Sequence, residues 1–154
     1  ATRALAEAAE ERGAAGEQGA TQGNATVFRE DAVLSFLGPN GAKRAELRIE
    51  IAEDDVARTQ GLMGRQVMAE DQGMLFIFPN EEYRSFWMAN TPLSLDIIFV
   101  NSAREIVTIQ RDAVPFSEES VPSTKPATYV VEVNAGYADR HGLAEGDRVQ
   151  WNRR

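Results

Sequence analysis

Arg44-Ala45-Glu46-Leu47-Arg48-Ile49-Glu50-Ile51 alternates charged and apolar side chains without a break. A period of two puts Ala45, Leu47, Ile49 and Ile51 on one side of an extended chain and the charged residues on the other, which predicts a half-buried β-strand. Just before it, Gly38-Pro39-Asn40-Gly41 has turn chemistry, and Val27-Phe28 with Val33–Leu37 reads as a first pair of short strands. Just after it, Asp54 or Asp55 can cap a short helix over 53–60, and Gly61 can end it, so that Leu62-Met63 docks back on the core.

The rest of the chain continues in this manner. Asp71-Gln72-Gly73 is a turn, and Met74-Leu75-Phe76-Ile77-Phe78 is apolar on both faces, as in a strand covered from both sides and closed by Pro79. Residues 83–89 predict another strand, with Tyr83, Ser85 and Trp87 on one face and Arg84, Phe86 and Met88 on the other. Asn90-Thr91-Pro92 breaks it. Residues 95–100 and 105–110 predict a hairpin through Asn101-Ser102-Ala103-Arg104. A strand over 128–133, a helical turn over 135–141 stopped by Gly142, and a last strand ending at Trp151 complete the pattern. Many short strands with one or two short helices predict a mainly β fold, a sandwich or a barrel.

At 154 residues and 43% hydrophobic content, the chain suits a single domain over 25–154. Residues 1–24 are rich in Ala, Glu, Gly, Gln and Thr and read as a solvated, disordered tether. A tether left by a removed export signal places the domain in the periplasm or otherwise outside the cytoplasm, and this is the expected localisation. With no cysteine, disulfides, thiol nucleophiles, zinc–thiolate sites and iron–sulfur clusters are excluded. The net charge of -8, without a basic stripe, argues against nucleic acid and against anionic membrane surfaces as partners. No apolar run approaches the ~20 residues that span a bilayer.

Two residues draw chemical interest. Asp96 interrupts Leu95-Asp96-Ile97-Ile98-Phe99-Val100, out of phase with Leu95, Ile97 and Phe99. A dry ionised carboxylate costs several kcal/mol, so it needs donors, and Arg58, Arg65, Asn90 and Thr91 are the candidates. Asp96 is either a latch holding the Asn90-Thr91 turn against the Arg65 loop or the floor of a polar pocket. Trp87 is either core or a stacking platform for a sugar or other flat ligand. His141, the single histidine, sits where a positive side chain meets the last carbonyls of a short helix. Met63, Met68, Met74 and Met88 read as core filling rather than as copper ligands. Neither a metal nor a cofactor is expected.

Arg58-Thr59-Gln60-Gly61-Leu62-Met63-Gly64-Arg65, Gly73-Met74-Leu75-Phe76-Ile77-Phe78, Phe86-Trp87-Met88-Ala89-Asn90-Thr91, Leu95-Asp96-Ile97-Ile98-Phe99 and the closing Gly142-Leu143-Ala144-Glu145-Gly146-Asp147-Arg148-Val149 stand in this order along the chain. Together with Pro122-Ser123 and Tyr129-Val130-Val131-Glu132, they resemble the uncharacterised family named domain of unknown function 192. The resemblance runs from about Ala45 to Val149. It implies a jelly-roll-like antiparallel β-sandwich, no established activity, and an exported or envelope-associated setting for many members.

The expected function is a non-enzymatic small-ligand binding or accessory module, with carbohydrate among the candidate ligands. Its site is formed by Arg58, Arg65, Trp87, Asn90, Thr91 and Asp96. One rival is a hydrolase pairing Asp96 with Glu105 or Glu132, which needs two carboxyl groups some ~5–10 Å apart. The other is a protein-interaction module with an apolar patch around Leu62, Met63 and Tyr83.

Overall fold

The computed structural model describes residues 27–154; the predicted tether over 1–24 lies outside the described residues. Nine strands and two short helices follow one another: β1 (Ala32–Leu37), β2 (Lys43–Ala52), α1 (Asp55–Gln60), β3 (Gln72–Glu82), β4 (Ser85–Phe86), β5 (Leu95–Val100), β6 (Ile106–Ala113), β7 (Val121–Pro122), β8 (Ala127–Asn134), α2 (Tyr137–Arg140) and β9 (Arg148–Arg153). Seven strands form one sheet in the order β6-β5-β8-β3-β2-β1-β9, while β4 and β7 make a separate two-stranded ribbon. The mainly β expectation holds.

The architecture departs from an all-antiparallel sandwich at one pair. β2 and β3 run parallel, Glu50 beside Met74 and Ala52 beside Phe76. The cause is α1, which carries the chain across so that it re-enters the sheet in the same direction, as a parallel pair requires. Asp54 accepts the Ala57 N–H at 2.8 Å to start this helix. Gly61 ends it at φ 47°, a left-handed conformation that costs glycine little.

The sheet curls until its edges touch at one bridge, Glu105 with Arg148, without closing into a barrel. Its inner face gathers Leu34 and Phe36, the apolar series Ala45-Leu47-Ile49-Ile51, and Leu75, Ile98, Val131 and Val133. Tyr137 and Leu143 plug it from the α2 side. Trp151 packs edge-on against Tyr129 at 4.9 Å and carries the Arg104 guanidinium 3.9 Å above its ring. The outer face of the central strands holds Met74, Phe76, Phe78, Leu95, Ile97, Phe99 and Val130 beneath Leu62, Met68, Phe86 and Met88. β3 and β5 are thus covered on both faces, as the apolar run 74–78 predicted. Gly73 is where backbones approach most closely, since a Cβ there would stand 2.7 Å from the Glu132 carbonyl and 2.8 Å from Leu47.

Two further expectations are corrected. Val27-Phe28 lies outside any strand, and the strand predicted over 83–89 shrinks to Ser85-Phe86. Phe86 inserts edge-on among Phe76, Phe78 and Phe99, while the following residues turn away to clamp the outer layer. Local alternation gave that segment a strand's period, but tertiary packing decides its path.

Candidate functional site

The six residues singled out by sequence divide into frame and rim. Asp96 faces the inner side and is 0% exposed. Its donors are backbone amides rather than Arg58, Arg65, Asn90 or Thr91: the N–H groups of Asp112 and Ala138 each donate to one carboxylate oxygen at 3.0 Å. The β5–β6 register slips between Leu95 and Ile97, so Asp112, at φ 54°, is set out of the ladder, and Asp96 accepts its N–H. Ala138 lies in the first turn of α2, whose N-cap is Gly136 and supplies no side-chain acceptor. Asp96 therefore caps a helix from a neighbouring strand, satisfying donors that a helix start leaves open. It is a latch, though not between the elements expected.

Arg58 is also part of the frame. Its guanidinium donates to the carbonyls of Glu53 and Ile77 and to Asp55, and it lies 5.3 Å from the centre of the Phe78 ring. Thr91 is buried, with its hydroxyl on the Ala89 carbonyl at 3.1 Å and its own carbonyl accepting the Phe116 N–H at 3.1 Å. Asn90, at φ 56°, offers its carbonyl to the Gly64 N–H at 2.7 Å. The turn and the 62–69 loop are joined, as the latch idea required, but by this backbone bond. Trp87 is buried against Met63 and Ala89 in a small outer cluster. Arg65 grips Glu50 with two parallel bonds of 2.6 and 2.9 Å, and both side chains are nearly sealed. Arg29 reaches the same carboxylate at 3.8 Å.

The residue that matters most is Glu132. Strand register aligns Glu50, Met74, Glu132 and Ile97 in one row across β2, β3, β8 and β5. At the usual strand spacing the two glutamates stand about 10 Å apart along this row. Phe86 covers the neighbouring row Phe76-Val130-Phe99. On the other side Asn134 donates to the Met68 and Ala69 carbonyls at 2.8 and 3.3 Å, pulling the 62–69 loop across the sheet. Glu132 is 1% exposed beneath this cover. Burial raises its pKa above the ordinary carboxylate value.

A raised folded-state pKa leaves stability undiminished below the ordinary titration of the carboxyl and erodes it as pH climbs toward the folded value. Denaturant unfolding of the wild type should thus show stability falling with rising pH above about 4.5. Glu132→Gln should flatten that segment of the profile. Superimposable profiles for the two proteins would refute the assignment.

Sequence reasoning had considered Glu132 only as a partner for Asp96. The two face opposite sides of the sheet, and Glu105 lies at the far end of the β5–β6 hairpin. The hydrolase that pairs Asp96 with Glu105 or Glu132 therefore finds neither partner beside it. The proposed interaction patch is likewise broken up, since Leu62 and Met63 are buried while Tyr83 is exposed. His141 packs on Tyr137 at 4.2 Å between ring centres. Among the described residues no group of three or more His, Asp or Glu side chains could hold a metal ion, and no helix is long and apolar enough to cross a membrane.

A curled mixed sheet with a capped interior and a strapped, carboxyl-bearing outer face defines the structural class. The chain belongs to the domain of unknown function 192 family, an uncharacterised conserved group whose model matches residues 37–151. It is 30% identical over 126 residues to a UPF0127 protein of Pyrococcus furiosus, covering 74% of this chain and 97% of that protein. A UPF0127 protein of Thermococcus sibiricus is 31% identical over 109 residues, 68% of this chain and 66% of the relative. A crystal structure from Sinorhizobium meliloti, provisionally described as a transcription regulator, superposes with a TM-score of 0.76 at 38% identity over 83% of this chain and 98% of that one. A protein of unknown function from Novosphingobium aromaticivorans gives 0.73 at 35% identity over 77% and 84%.

Proposed function

We propose that this chain is a non-enzymatic small-ligand binding or accessory module whose site lies under the 62–69 loop on the outer face of the central strands. In this reading Arg65, Trp87 and Asn90 belong to the movable cover, and Arg58, Thr91 and Asp96 hold the frame around it. One observation carries the reading. The carboxyl group of Glu132 is buried on the outer face of the central strands, burial raises its pKa, and a carboxyl group so perturbed marks a candidate functional site. The cover is tied to the sheet by polar contacts from Arg65 to Glu50 and from Asn134 to Met68, and the Gly64 N–H bond to the Asn90 carbonyl holds its two parts together.

The proposed setting is the periplasm or another exported site, consistent with the composition of residues 1–24. A net charge of -8 supports a partner other than nucleic acid for this chain. The regulatory description of the Sinorhizobium structure leads to a simple control, a gel-shift assay at low salt in which the protein should not retard duplex DNA.

Ligand-detected NMR against a panel of carbohydrates and envelope fragments tests the reading. A binder should emerge whose affinity falls at least about tenfold on Trp87→Ala, the cost of losing one aromatic wall. Binding unchanged in Trp87→Ala and in Glu132→Gln would move the site elsewhere.

A further inference from the structure

A different group of residues stands on the inner side of the sheet, away from the 62–69 loop. Tyr137 and Leu143 close the inner face at α2, whereas Ile77, Tyr129 and Trp151, at the end away from α2, are only partly buried. Ile77 and Tyr129 are register partners, and the Tyr129 and Trp151 rings meet edge-on at 4.9 Å. Arg104 lies across this apolar rim, its guanidinium 3.9 Å from the centre of the Trp151 ring and 5.9 Å from that of Tyr129. The backbone fixes its position: its N–H donates to the Asn101 carbonyl and its carbonyl accepts the Val149 N–H, each at 2.9 Å. Arg104 is held at φ 64°, a conformation that residues with a side chain adopt at a cost.

The charge pattern singles out the same residue. With 24 acidic residues against 16 basic ones, the chain has carboxylates to spare. Among the described residues every lysine and arginine makes an ion pair except Arg104, Lys125 and Arg148. Lys125 and Arg148 are exposed, while Arg104 is half-buried and stacked on the rings. A guanidinium stacked by its face keeps the N–H donors along its edge, and their fork matches the two oxygens of one oxyanion.

We infer that Arg104, Tyr129 and Trp151 form a surface site for a small carboxylate whose apolar or aromatic body lies against Tyr129 and Ile77. The site is an open one, since all three of its residues are partly exposed. A carboxylate fits it better than a phosphate monoester. Glu105 follows Arg104 in sequence, and in the same turn Glu81 accepts the Ser102 N–H at 2.6 Å. One guanidinium among acidic neighbours balances a single negative charge rather than nearly two. This site is independent of the outer-face reading above and uses none of its residues.

The test uses the 154-residue chain labelled with 15N and follows the indole N–H signals of its two tryptophans, Trp87 and Trp151, assigned with Trp87→Phe. The probes are 3-phenylpropionate, its neutral match 3-phenylpropionamide, and phenyl phosphate. The expected result is that 3-phenylpropionate shifts the Trp151 indole and Arg104 Nε–H signals and leaves Trp87 in place. The amide should bind at least about tenfold more weakly, and phenyl phosphate no more tightly than the acid. Arg104→Gln, checked for a native melting transition, should weaken the acid at least about tenfold. Arg104→Lys, which keeps the charge without the fork, should recover only part of that loss. Equal binding of acid and amide to the wild type, or a Trp151 signal indifferent to the acid, overturns the site without recourse to any variant. Unchanged binding in Arg104→Gln overturns the role of Arg104, and tighter binding of phenyl phosphate overturns the choice of a carboxylate. A shift of Trp87 instead of Trp151 assigns the acid to the outer face and overturns this site while leaving that reading standing.

Discussion

Asp96→Ala should lower the free energy of unfolding by about 3–5 kcal/mol, because it strands two backbone donors in a dry interior. The loss acts at two places at once. The Asp112 amide, displaced from the ladder by the register slip, loses its acceptor, and α2 loses the group that caps its start. Asp96→Asn keeps the shape but turns an NH2 group toward one of the amides. It should cost about half as much, on the scale of a charge-assisted bond. Urea melts of the three proteins decide the matter. A penalty below about 1 kcal/mol for Asp96→Ala would mean that water replaces the carboxylate and that the site is not sealed.

The second large effect belongs to the pair that fastens the loop. Arg65→Met leaves the Glu50 carboxylate nearly sealed, faced by Arg29, whose backbone N–H donates to it at 3.3 Å and whose guanidinium stands 3.8 Å away, and should destabilise the fold by about 3–5 kcal/mol. Replacing both residues, Glu50→Leu with Arg65→Met, should recover most of that loss, since a buried ion pair exchanged for apolar side chains of similar size is often close to neutral. A double-mutant cycle reads the coupling directly. Additive single losses would show that the two side chains do not act together.

Where burial follows the local period of the chain, sequence and structure agree. The alternation over 44–51 assigned Ala45, Leu47, Ile49 and Ile51 to the interior, and the uninterrupted run at 74–78 assigned β3 to the doubly covered centre. Asp96 drew attention for the right reason, an acid embedded in apolar sequence, and its requirement for donors is met. The identity of those donors was out of reach, because backbone amides freed by a bulge and by a helix start leave no mark in side-chain composition. Glu50 shows the opposite failure. Its period placed it with Arg44, Glu46 and Arg48 on a face that alternation treats as solvated, yet the 62–69 loop covers that end of β2. Glu132, flanked by Val131 and Val133 and in phase with Val130, carried the same kind of signal as Asp96. The orientation of β3 relative to β2 could not be inferred either, since the 53–71 connection is long enough for either direction.

The placement of β9 beside β1 bears on how the molecule is made. Leu34 and Trp151 are partners in that ladder although most of the chain lies between them. On a ribosome, β1 and β2 emerge as a hairpin whose free edge waits for β9, translated after every other strand of the sheet, and the Tyr129–Trp151–Arg104 stack cannot assemble before then. Contacts this distant in sequence slow folding and leave an unpaired strand edge open to other nascent chains. A polypeptide with this topology acquires its native interior only once β9 has emerged, and until then it is the kind of substrate that holding chaperones bind.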